Sequence, residues 1–65
     1  MAKYPEIEVQ LVGQDGNAMS IIGRVSGALR RAGVSNDEIS EFVSESKSGD
    51  YDNVIATAAR WVTVS

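Results

Sequence analysis

A chain of 65 residues with neither cysteine nor histidine must be held together by its apolar side chains alone. Disulfides and the common zinc ligands are the usual supports of domains this small, and both are missing. A fold of this size buries only about 60% of the surface its unfolded chain exposes, so its core has little to spare. Apolar residues make up 43% of the chain, an ordinary share for a globular protein. The expectation is one domain over residues 1–65, with its core either self-sufficient or completed across a dimer interface.

Periodicity supplies the elements. Residues 6–12 alternate, with Ile7, Val9 and Leu11 on one face and Glu6, Glu8 and Gln10 on the other, which predicts a half-buried strand. Pro5 stands just before it, and Gly13-Gln14-Asp15-Gly16 supplies turn chemistry after it. Asn17 is placed to cap a helix of about 15 residues whose apolar stripe is Ala18, Ile21, Ile22, Val25, Ala28, Leu29 and Ala32. Arg30 and Arg31 suit its negative end and Gly33 its stop. Gly23 and Gly27 lie off that stripe, either as surface glycines or as a place of close approach by a neighbouring helix or partner.

Ser35-Asn36-Asp37-Glu38 spells a capping box, in which Ser35 takes the Glu38 amide and the Glu38 carboxylate reaches back. Ile39, Phe42, Val43 and Ser46 give the second helix its inner face, with Lys47 in its last turn and Gly49 past its end. Asp50 caps a third helix with Tyr51, Val54, Ile55, Ala58 and Ala59 inward. Trp61-Val62-Thr63-Val64 could extend that helix or form a closing strand. The β-branched residues favour a strand paired with residues 6–12, which would also cover an exposed edge. The expected fold is therefore α+β, a β-α-α-α-β domain with a two-stranded antiparallel sheet packed on a three-helix bundle.

Catalytic chemistry finds little to work with. Without His or Cys, no Ser–His–Asp triad or Cys–His pair can be assembled. Ser44-Glu45-Ser46-Lys47 matches Ser-x-x-Lys, but its companion motifs are absent. The loop Val12–Asn17 lacks the full G-x-G-x-x-G and the P-loop lysine, and Asp15 would repel a phosphate. Asp50-Tyr51-Asp52 begins like a calcium loop, yet Val54 and Ile55 stand where Asp or Asn and then Gly are needed. No catalytic residue, cofactor or metal is expected. Trp61 fits either the core or an interface anchor.

Charge is the most informative feature. The formal net charge is -3, with nine acids against six bases. Asp37, Glu38, Glu41, Glu45, Asp50 and Asp52 crowd into residues 37–52 against one base, Lys47. The expected partner-binding residues are these six acids, and Glu38, Glu41 and Glu45 are expected to share one helical face. Arg24, Arg30 and Arg31 belong to the exposed side of the first helix. The acids are either a solvated helix face or a surface complementary to a basic partner, since their spacing approaches that of phosphates along DNA. Direct nucleic-acid binding is not expected of so acidic a chain. No apolar run approaches the roughly 20 residues of a bilayer span, and the start of the chain does not read as a secretory signal. Cytoplasmic residence is expected, as monomer or homodimer.

Several segments also carry a resemblance: Val9–Ala18, Gly23-Arg24-Val25, Ala28-Leu29-Arg30, Ala32-Gly33-Val34, Ser48-Gly49-Asp50-Tyr51-Asp52 and Arg60-Trp61-Val62. Together they resemble a family of short, mostly uncharacterised proteins of bacteria, plasmids and phages. In size, acidity and layout the chain is also similar to the small acidic anti-CRISPR proteins of mobile elements. That second likeness implies an inhibitor that blocks a nucleic-acid-binding surface of a host complex. The alternative is a small structural or oligomerisation module with no inhibitory role, joined through Gly23, Gly27 and Trp61.

Overall fold

The computed structural model describes residues 2–11 and 17–65. The elements run β1 (Tyr4–Val9), α1 (Ala18–Arg31), α2 (Asn36–Ser46), α3 (Tyr51–Trp61) and β2 (Val62–Val64). The expected glycine-bearing turn at residues 13–16 lies outside the described residues.

β1 and β2 pair in parallel, not antiparallel as expected. A tight hairpin would force the antiparallel arrangement, but residues 10–61 separate the two strands. Long helical crossovers of that kind are what parallel pairs require. Ser65 shows the parallel pattern, donating its N–H to the Val9 carbonyl at 3.0 Å and accepting from the Leu11 N–H at 2.7 Å. The register is irregular between Tyr4 and Glu8. β1 also starts two residues earlier than its alternation suggested, so Pro5 lies inside the strand. The irregularity accommodates a residue with no N–H, and the Thr63 hydroxyl donates to the Pro5 carbonyl at 2.8 Å. Trp61 closes α3 instead of opening the strand, and the three β-branched residues after it form β2.

The helix ends follow their cap residues. Asn17 accepts from the Met19 N–H at 2.9 Å, Ser35 from the Glu38 N–H at 3.3 Å and Asp50 from the Asn53 N–H at 3.1 Å. α1 ends in a Schellman motif, with Val34 N–H donating to Leu29 C=O and Gly33 N–H to Arg30 C=O. Gly33 supplies the positive φ of 90° this motif needs.

One core joins all five elements, with Ile7 and Val9 from β1, Val25 and Leu29 from α1, Phe42 from α2, Ala58 and Trp61 from α3, and Val62 from β2. Phe42 and Leu29 are completely buried. Each contributes about 1.5–3 kcal/mol by leaving water. Ala32, Tyr51 and Ala59, expected inward, are exposed. Ala32 has passed the end of α1 and caps it. Tyr51 stands at the first position of α3, with its side chain exposed. Gly23 has open space where a side chain would stand, so among the described residues no other element approaches it there.

Candidate functional site

The acids of α2 do not form one solvated row. Glu38 reaches out of the first turn of α2 to β1 and the residue before it. Its carboxylate pairs with the Lys3 ammonium at 2.7 Å and accepts from the Tyr4 hydroxyl. The Ser35 half of the capping box is present, while the Glu38 side chain takes these partners where the sequence suggested a return to the backbone. Two turns on, Glu45 turns toward α3, accepting from the Trp61 indole N–H at 3.1 Å, with the Arg60 guanidinium 3.7 Å away.

Between these carboxylates lies an aromatic group. Tyr4 and Trp61 stack with centroids 6.1 Å apart, and Phe42 meets Trp61 edge-on at 5.7 Å. The Lys3 ammonium stands 4.6 Å from the Trp61 centroid and 5.9 Å from that of Tyr4, within cation–π range of both. Trp61 is 4% exposed, so it belongs to the core while its polar edge faces Glu45.

The six expected partner-binding acids thus separate. Asp37 and Glu41 are exposed, one turn apart on α2 and flanking half-buried Glu38. Glu45 is half-buried by its α3 contacts. Asp50 caps α3 beyond the far end of α2, and Asp52 is exposed in the first turn of α3. One acid joins the group from outside it. Glu6 of β1 lines, with Tyr4, Val34, Ser35 and Glu38, a groove of about 220 Å³. The period-two alternation that puts Tyr4, Glu6 and Glu8 on one strand face was the available signal. Pairing over 34 positions, as between Tyr4 and Glu38, leaves none in the sequence. Arg24, Arg30 and Arg31 are exposed on α1, as expected.

The electrostatics follow the pairing. Hydrogen bonds from Lys3 and then Tyr4 hold the Glu38 carboxyl below the usual carboxylate range. The same carboxylate pushes the Lys3 ammonium and the Tyr4 hydroxyl up. Glu41 adds to the rise at Lys3 and Glu6 to that at Tyr4, which places both acids in the field of this cluster. A lowered carboxyl stabilises the fold above its ordinary range and loses that contribution as pH falls through its folded value. Raised Lys3 and Tyr4 contribute below their ordinary values and lose it as pH climbs through their raised ones. Stability should therefore hold through neutral pH and fall below roughly pH 4.5 and above roughly pH 10. Urea midpoints measured against pH should show both flanks, and Glu38→Gln should flatten each.

Among the described residues, no group of three or more His, Cys, Asp or Glu side chains could hold a metal ion. Among them too, no helix is long and apolar enough to cross a membrane. Comparison of the chain with protein-family models, curated proteins and solved structures finds no match in any of the three.

Proposed function

We propose that this protein is a non-catalytic binding protein whose acidic surface docks on the basic, nucleic-acid-binding surface of a host protein or nucleoprotein complex. The observation that carries the reading is that exposed Glu6 and Glu41 lie in the field of the Lys3–Tyr4–Glu38 cluster, where β1 meets the start of α2, with Asp37 exposed in the same first turn as Glu38. Acids on a rigid strand and helix keep fixed spacing, so such a face can follow a surface built to receive phosphates. The partner is basic protein, with no direct nucleic-acid contact and no membrane. The resemblance to small acidic anti-CRISPR proteins supports the more specific version, an inhibitor of an interference complex acting in the cytoplasm.

The exposed acids give the cleanest test. Neutralising Glu38, Glu41 and Glu45 together would also break the Lys3, Tyr4, Trp61 and Arg60 contacts. Glu6→Gln, Asp37→Asn and Glu41→Gln leave those contacts in place. The triple variant should fold like wild type and lose the basic partner that wild type captures from bacterial lysate at physiological salt. Equal capture by both chains would defeat the reading.

A second reading, a self-assembling module, draws on a different place. Met19 and Tyr51 are 60% and 47% exposed on a groove of about 280 Å³ between the starts of α1 and α3. It predicts a homodimer by light scattering that Met19→Glu dissolves. A strict monomer at high concentration removes it.

A further inference from the structure

We propose that Lys3 is an internal stand-in for a partner's basic side chain, and that Tyr4, Trp61 and Glu38 form a site for an organic cation, a lysine or arginine side chain. This deepens the acidic-surface reading and rests on it. Two aromatic rings within reach of one ammonium, closed by a carboxylate, are the chemistry that recognises an alkylammonium or guanidinium group. The chain already satisfies this chemistry with its own Lys3, whose ammonium lies 4.6 Å from the Trp61 centroid and 2.7 Å from Glu38.

Two features make Lys3 a replaceable occupant. Its side chain is 48% exposed, and it precedes β1. Its backbone is held separately, by an N–H bond to the Arg60 carbonyl at 2.8 Å, so the side chain can leave without unpairing the strand. Charge also favours exchange. Lys3 and Arg60 face Glu6, Glu38, Glu41 and Glu45, so the neighbourhood holds more carboxylate than its own cations neutralise. A basic side chain arriving with its protein surface would take the rings and Glu38, while Lys3 swings into solvent. The cost of displacing Lys3 then tunes affinity, as a competing ligand would.

The sole tryptophan of the chain is Trp61, which makes its emission a reporter of this site. The probe is an acetylated hexalysine peptide, titrated into wild type, Lys3→Ala and Lys47→Ala, with binding followed by calorimetry and by tryptophan fluorescence. Lys47→Ala makes the same charge change at the far end of α2. Lys3→Ala should bind about fivefold tighter than Lys47→Ala, the factor a vacated cation–π contact supplies. Its Trp61 emission should shift on saturation, and adding Glu38→Gln should reverse the gain. Equal affinity of Lys3→Ala and Lys47→Ala, or silent Trp61 emission at saturation, overturns the proposal. If the peptide still binds and Glu6→Gln with Asp37→Asn and Glu41→Gln abolishes it, the acidic-surface reading survives that failure. If the peptide binds none of the chains even at low salt, both fall.

Discussion

Phe42→Ala should leave this chain unfolded or nearly so. Phe42 is completely buried, and it joins α2 to the core through its edge contact with Trp61 at 5.7 Å. Truncating a buried phenylalanine costs about 3–5 kcal/mol, part from lost transfer free energy and part from the cavity left behind. A domain of this size has about 3–10 kcal/mol in all. No disulfide is available to hold the collapsed chain together. Circular dichroism should show loss of the cooperative thermal transition, and Trp61 emission should move toward that of an exposed indole. A melting curve close to wild type would mean that α2 is not clamped over Trp61 as described.

Asn53→Ala should be the next most damaging, at about 1–2 kcal/mol, because its amide bonds the last carbonyls of a different helix, reaching Ser46 and sharing Glu45 with the Ser48 N–H and hydroxyl. The Asn53 side-chain N–H₂ donates to the Glu45 carbonyl at 2.9 Å and the Ser46 carbonyl at 3.2 Å. Both belong to the last turn of α2, so α3 closes the helix before it. The fit depends on Gly49: a Cβ there would lie 2.9 Å from the Asn53 Cβ. Gly49→Ala should therefore push Asn53 away and reproduce much of its loss. In urea unfolding, the two substitutions combined should cost less than their sum, because both remove the same interaction. Full additivity would separate Gly49 from the Asn53 bridge.

What could be read from the sequence is what is local. Asn17, Ser35 and Asp50 mark three helix starts because a short polar side chain satisfies amides two or three residues on. The stripe through Ile21, Ile22, Val25 and Leu29 marks its buried face because helical spacing alone brings those residues together. Strand direction is another matter. Alternation in residues 6–12 says which side chains are buried, but nothing in Val62–Val64 says which way they run past β1. That is decided by the path of three helices. The crowding of acids was legible in composition and not in geometry. Six acids in residues 37–52 could be counted, but Glu38 and Glu45 find partners at Lys3, Tyr4, Arg60 and Trp61, remote in sequence. Gly49 looked like a helix stop; its closeness to Asn53 needed the packing of α2 on α3 to become visible.

We propose that the surface around Glu6, Asp37 and Glu41 occupies a partner's site for nucleic acid. The most direct measurement is competition: the captured basic partner is loaded with a fluorescently labelled duplex, and this protein is titrated in while anisotropy is followed. The duplex should be released as the protein binds, and the Glu6→Gln, Asp37→Asn, Glu41→Gln variant should release none. A stable ternary complex, with the duplex still bound at saturating protein, would contradict it.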